Sequence, residues 1–235
     1  MFIDWTYIVL VLPAVIFAMI CSARVQSTFK KYSSVPTASG MTGAQAAQAV
    51  LDANGVTGVR IEHVPGNLTD HYDPRTNVIR LSDNVINGTS AAAVGVAAHE
   101  AGHAVQHAVG YFPIKIRNAI IPITNIGSKL AIPLFLIGLV LTYYGQQYVW
   151  IAYAGLICYA ACLLFQLVTL PTEFNASSRA LAAIRSSGRF DAQEVSASKK
   201  VLSAAAMTYV ASLAVTLMTF LRLLVLLSGA RGRRN

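Results

Sequence analysis

The chain has 235 residues, of which 55% are hydrophobic and only 12% are charged, and its mean hydropathy is +0.54. Soluble domains usually carry about twice that share of charged residues. The composition therefore excludes an ordinary soluble enzyme and indicates an integral membrane protein. The formal net charge is +8. However, Lys and Arg flank apolar segments, which argues against nucleic-acid binding and for a role in membrane orientation.

Four apolar segments are long enough to cross a bilayer, which takes about 20 residues. The first lies in residues 1–24 and is interpreted as a retained anchor, because positive charge follows it rather than precedes it. The second and third occupy residues 126–170 and form a tight hairpin, since only a four-residue turn separates them. The fourth, residues 204–228, contains Arg222, which must face a neighbouring helix or reach one end of the span.

The basic residues predict which side of the membrane each connecting segment occupies. Lys and Arg occur throughout residues 25–125 and 171–203, whereas the hairpin turn has none. Cytoplasmic loops are enriched in these residues, so both segments are predicted to be cytoplasmic. With four spans, the basic tail at residues 229–235 would emerge outside. Either the tail is tolerated there or the fourth segment does not fully cross.

Residues 25–125 form the extramembrane segment. Thr42 precedes an Ala-rich amphipathic run that stops at Asn54, which predicts a capped helix. Two strand-like runs follow, residues 59–64 and 77–82, with Gly- and Pro-containing turns between them. They predict a small hairpin-like sheet whose edge would accept an extended peptide as an added strand.

A short motif carries the predicted chemistry: residues 99–103 read H-E-A-G-H within an apolar, helix-forming run. On a helix, His99 and His103 share one face and can bind one zinc ion, while Glu100 lies beside them as a general base. This is the arrangement of a zinc peptidase. The predicted fold class is therefore mainly α, with about four transmembrane helices and a small α+β zincin-like extramembrane domain.

A catalytic zinc usually has three protein ligands, so a third must be found. His107 repeats the one-turn spacing, but it lies about 12 Å of helical rise from His99 and is predicted to be a packed histidine. Glu173 is the better candidate because the hairpin returns it to the side of the motif. Thr172 would cap a helix begun by Pro171 and place Glu173 in its first turn. Alternatively, Glu173 only complements the helix dipole.

Several longer strings together resemble the YugP-like bacterial membrane zinc metallopeptidases, over about residues 44–180: A-A-H-E-A-G-H-A-V-Q-H, L-T-D-H-Y-D-P-R, N-V-I-R-L-S and L-P-T-E-F-N-A-S-S-R-A. That family resembles in turn the membrane-embedded HtpX proteases and the CAAX prenyl proteases. The resemblance implies His99, His103 and Glu173 as zinc ligands and Glu100 as the base. Those relatives place an aspartate four residues after the ligand glutamate, where this chain has Ser177. Orientation of the histidines is therefore left to another, unidentified acceptor.

A second polar cluster comprises Asp70, His71, Tyr72 and Asp73. In a functional interpretation, His71 or Tyr72 stabilises the oxyanion of a tetrahedral intermediate. In the alternative, the cluster is an Asp-Pro turn whose side chains bond their own backbone.

The predicted function is a zinc metalloendopeptidase at the cytoplasmic face of the cell membrane, acting on a protein or peptide substrate. Prenyl-peptide processing would keep the chemistry and change the substrate. The alternative from another class is a non-catalytic, zinc-stabilised membrane scaffold or chaperone-like adaptor. Arg222, a charged residue within the last span, also indicates a membrane-protein partner or a homo-oligomer.

Overall fold

Long helices dominate the structure, a computed structural model that describes residues 4–232. In chain order the elements are a π-helical turn (Tyr7–Val11), α1 (Leu12–Ser33), α2 (Gly43–Ala53), β1 (Arg60–His63), β2 (His71–Asp73), β3 (Val78–Leu81), α3 (Asp83–Ile86), α4 (Ala91–Ala108), α5 (Phe112–Leu141), a 3₁₀ turn (Gln146–Tyr148), α6 (Val149–Ser186) and α7 (Ala192–Gly232). Four helical stretches are long and apolar enough to cross a membrane: Tyr7–Ser33, Phe112–Leu141, Gln146–Ser186 and Ala192–Ala230. The predicted fold class is confirmed. Residues 233–235 of the predicted basic tail lie outside the described residues.

The chain divides into two compact units. The first unit consists of Met1–Ile20, Ile116–Leu170 and Tyr209–Asn235. The second unit consists of Cys21–Lys115 and Pro171–Thr208 and contains the sheet.

Small residues hold the two antiparallel helices of the first unit together. A Cβ atom added at Gly138 of α5 would overlap the backbone of Ala152 in α6, and one added at Gly155 would overlap the backbone of Phe135. Such close backbone approach is how membrane helices associate without a hydrophobic driving force between them. The predicted helical hairpin is therefore present. Its first helix begins at Phe112 rather than near residue 126, because hydropathy detects only the apolar part of α5.

Arg222 of α7 has a partner within the first unit. Its side chain is buried, its Nε lies 3.5 Å from Asp4 Oδ1, and its guanidinium carbon lies 5.5 Å from the ring centroid of Tyr7. The prediction that Arg222 faces a neighbouring helical segment is met inside this chain. A membrane-protein partner or a homo-oligomer stays a prediction.

Replacing Arg222 with methionine is expected to destabilise the full-length protein in detergent. The substitution keeps most of the side-chain volume but leaves Asp4 without its cation, at an expected loss of about 1–2 kcal/mol because Asp4 is partly exposed. Thermal unfolding in micelles measures this loss. Leu221→Met, at the neighbouring exposed position, is the control. Equal unfolding temperatures for the two variants would contradict the expectation.

The second unit has its core between α2, α4 and the sheet. The predicted cap of α2 is present, because Thr42 and Gln45 form a reciprocal capping box and the helix ends at Asn54. Val50 and Leu51 of α2, Ile79 of β3 and further side chains of α4 form one buried cluster. Burial of this apolar surface fixes α4 on the sheet.

The sheet differs from the predicted hairpin of two strands. β1 pairs with β3 in parallel, with Arg60 opposite Val78, and the strand order is β1-β3-β2. The antiparallel hairpin is instead β2–β3, with His71 opposite Arg80. The prediction was wrong because β2, with three residues, is too short to show the alternating pattern of a strand in the sequence.

Helix α6 is continuous through Pro171, so the predicted new helix with a Thr172 cap is wrong. Proline removes one backbone hydrogen bond and strains the preceding turn, but long helices packed on neighbours tolerate this. Glu173 therefore lies in the body of a 38-residue helix rather than in a first turn.

Candidate metal centre

The H-E-A-G-H motif lies in the middle of α4. The helix begins after Ser90, whose Oγ accepts a hydrogen bond from the Ala93 N–H at 3.2 Å. His99 and His103 are one turn apart, with ring centroids separated by 4.7 Å and planes at 81°. Because the surrounding alanines are buried in the core, the two imidazoles are held on one side of a fixed helix.

Gly102, inside the motif, lets α6 approach α4. A Cβ atom added at this position would lie 2.5 Å from the carbonyl oxygen of Ala176 and 3.1 Å from its carbonyl carbon. Real side chains do not make such contacts with backbone, so only glycine fits here. This approach brings Glu173, three residues before Ala176, to the two histidines.

The three predicted ligands meet in the second unit. Glu173 Oε2 lies 3.2 Å from His99 Nε2 and 3.4 Å from His103 Nε2, and one ligand atom of each residue falls within 4.8 Å of the others. Zinc bonds of about 2.0–2.1 Å in a tetrahedral site separate ligand atoms by about 3.3–3.4 Å. The spacing and the donor set of two imidazoles and one carboxylate therefore fit a zinc ion.

Each histidine has a second partner on its other ring nitrogen. Ser177 Oγ lies 3.0 Å from His99 Nδ1, and Gln106 Oε1 lies 3.0 Å from His103 Nδ1. Ser177 itself thus contacts His99, and Gln106 is a further partner, at His103, of the kind that the sequence left unidentified. Gln106 is absent from the predicted site, although its position three residues after His103 on one helix is a signal that the sequence contains.

The charge around His103 favours a cation. Burial lowers the pKa of His103, but its hydrogen bond to Glu173 and the negative charge of Glu100 outweigh this, so the pKa lies above its ordinary value. The two carboxylates that favour the protonated imidazole would equally favour a bound metal ion.

Glu100 lies beside the ligand group without belonging to it. The residue is 9% exposed, and among residues 4–232 no hydrogen bond or ion pair of its carboxylate is found, although its negative charge acts on the nearby His103. The Glu100 oxygens are not among the fully buried polar atoms that lack a partner in the described residues, so they retain access to solvent. Its oxygens are available to a water molecule or a substrate.

His107 lies outside the described ligand group, as its distance along the helix predicts. Its ring instead meets Tyr72 edge to face, with centroids 6.0 Å apart.

The cluster around His71 and Tyr72 has the contacts of a turn. His71 Nδ1 lies 2.8 Å from the Thr69 carbonyl oxygen, and the Tyr72 hydroxyl donates to Asn77 Oδ1. Asp73 accepts hydrogen bonds from the Arg75 N–H and the Thr76 hydroxyl.

These contacts favour the ionised form of the Asp73 carboxyl. The hydrogen bonds from Thr76 and from the Arg75 backbone, with the nearby Arg80, lower the pKa of Asp73 to about 2. The hydrogen bonds favour the turn interpretation, and a role of His71 or Tyr72 in stabilising an oxyanion stays a prediction.

Comparisons with known proteins agree with this geometry. The profile of a family described as "Putative neutral zinc metallopeptidase" matches residues 7–228. The protein "Putative membrane protease YugP" of Bacillus subtilis (strain 168) is 45% identical over 208 residues, which cover 88% of this chain and 90% of that protein. No solved structure matches the chain. The resemblance seen in the sequence strings is confirmed, and the chain belongs to the neutral zinc metallopeptidase family.

Proposed function

We propose that this chain is a membrane-embedded, zinc-dependent endopeptidase that hydrolyses peptide bonds at the cytoplasmic face of the cell membrane. The observation that carries the proposal is the carboxylate of Glu100, which follows His99 on α4, stays outside the three-residue ligand group and has no hydrogen-bond partner among the described residues. A metal site that only stabilises a fold has no use for such a base.

His99, His103 and Glu173 would hold the zinc ion. Bound there, zinc lowers the pKa of a water molecule and polarises a carbonyl oxygen. Three protein ligands leave one position of a tetrahedral site open, as catalytic zinc sites require. This count weighs against the scaffold alternative, whose site would be closed by a fourth protein ligand.

Glu100 would act as the general base. Its carboxylate accepts a proton from the attacking water and delivers it to the nitrogen of the departing amine. The one-turn spacing of the two histidines leaves Glu100 adjacent to the site but outside the ligand set, so its oxygens stay available for this transfer.

The cytoplasmic orientation is supported by the basic residues of the two long connecting segments. Protein or peptide substrates are supported by the peptidase family and by the name of the Bacillus relative, a membrane protease. Substrates anchored in the same membrane would reach the site without leaving the bilayer surface, because α6, which carries Glu173, is also long and apolar enough to cross the membrane.

Metal analysis of the full-length protein in detergent tests the proposal. We expect one zinc per chain and, by X-ray absorption, two nitrogen ligands, one carboxylate and one non-protein oxygen. Removing the metal with a chelator should stop peptide hydrolysis, and adding zinc should restore it. A fourth protein ligand, or hydrolysis that persists without metal, would contradict the proposal.

A further inference from the structure

Gln106 links the candidate metal centre to α6. Its side chain is fully buried. The amide oxygen lies 3.0 Å from His103 Nδ1, while Nε2 donates to the Thr172 carbonyl at 2.7 Å and to Asn175 Oδ1 at 3.0 Å. One side chain thus joins a predicted ligand of α4 to the part of α6 that carries Glu173.

The direction of every hydrogen bond in this chain of contacts is forced. A backbone carbonyl can only accept, so the Thr172 oxygen must face the Gln106 NH₂ group. Arg179 Nε can only donate, so the atom of Asn175 that it meets at 2.8 Å is the oxygen, which also requires the Gln106 NH₂. Both constraints turn the Gln106 oxygen toward His103.

His103 must therefore donate from Nδ1, because the only atom that Gln106 offers to it is an acceptor. A neutral imidazole with its proton on Nδ1 has its lone pair on Nε2, the nitrogen that lies 3.4 Å from Glu173 Oε2. We propose that Gln106 is a positioning residue that fixes the tautomer and ring orientation of His103 for metal binding. This inference rests on the proposed zinc function.

His99 differs from His103 in the kind of partner on its Nδ1 atom. Ser177 Oγ contacts His99 Nδ1, but a hydroxyl can donate or accept and is only partly buried here. Water can replace such a partner. His99 is therefore held by an adaptable contact and His103 by a fixed one, so removal of Gln106 should weaken metal binding more than removal of Ser177.

Zinc affinity of full-length variants, measured by chelator competition, tests the role of Gln106. Gln106→Met keeps the volume but removes the acceptor, and we expect a 10- to 100-fold loss of affinity, as for other outer partners of ligating histidines. Ser177→Ala removes the adaptable partner of His99 and should lose only a few-fold.

Gln106→Met could weaken zinc binding either by destabilising the core or by misplacing the His103 ring, and a control variant distinguishes the two. Val105→Ala opens the same buried part of α4 without touching an imidazole, so it should lower the unfolding temperature and leave zinc affinity within a few-fold. The inference is overturned if Val105→Ala weakens zinc binding as much as Gln106→Met, if Gln106→Met binds zinc like the wild type, or if Ser177→Ala loses as much affinity as Gln106→Met.

The wild-type protein offers a second route should Gln106→Met fail to fold. In ¹⁵N spectra of the zinc-loaded protein, His103 should carry a slowly exchanging proton on Nδ1 and the metal on Nε2. Metal on Nδ1 would overturn the inference. A wild-type protein that binds no zinc would instead remove the proposed function, and the inference with it.

Discussion

Glu100→Gln is expected to abolish peptide hydrolysis and to leave zinc bound. The amide keeps the size of the side chain but cannot accept the proton of the attacking water. General acid–base catalysis typically contributes about 10²- to 10⁴-fold to a rate, which is the expected loss. Hydrolysis of a protein substrate by the full-length protein, with zinc content measured on the same sample, checks both parts of this result.

The outcome separates three roles for Glu100. Asp52→Asn, the same carboxylate-to-amide change at an exposed position of α2, is the matched control and should keep wild-type activity. Retained hydrolysis in Glu100→Gln would rule out the base. Loss of the zinc itself would make Glu100 a ligand, and the ligand set would have to be revised.

A single methyl group at Gly102 is expected to disrupt the metal centre. The added carbon would lie 2.5 Å from the Ala176 carbonyl oxygen, and backbone cannot rotate away as a side chain can. Overpacking of this kind costs about 1–3 kcal/mol. Relief requires α6 to move from α4 and to take Glu173 with it. Expressed as a binding constant, the same free energy is an expected loss of about 5- to 150-fold in zinc affinity.

Gly95→Ala is the control for Gly102→Ala. Both glycines lie in α4, but the nearest atom to an added carbon at Gly95 is Ser198 Cβ at 3.4 Å, an ordinary contact. Zinc affinity should be unchanged, and the helix should gain about 0.5–1 kcal/mol from the better helix former. Equal zinc affinities in the two variants would show that close approach at Gly102 does not hold the site together.

Part of the candidate ligand group follows from local rules. His99 and His103 share a helix face through spacing alone, whereas Glu173, 74 positions from His99, was proposed from the hairpin and from the family resemblance together. The four long apolar helices follow from composition and length. The helix spacing of the histidines and the lengths of the apolar helices can be inferred without knowing which distant side chains meet.

The predictions of strand pairing and of a helix start at Pro171 were wrong because tertiary packing determines both features. The parallel pairing of β1 with β3 depends on β2, which is too short to show a strand pattern. Pro171 is a normal helix breaker, yet α6 continues through it because packing outweighs local preference. The contacts of Gln106 and Ser177 with the imidazoles depend on how α6 crosses α4, which spacing alone does not reveal.

The pairing of Asp4 with Arg222 sets a constraint on biogenesis. The two residues are 218 positions apart, so Asp4 enters the membrane region long before its cation has been synthesised. Contacts of such sequence separation form late, after the intervening chain is in place. The contact between Asp4 and Arg222 can therefore form only after α7 has been inserted. If translation is arrested before α7 is made, the amino-terminal span lacks its counter-charge.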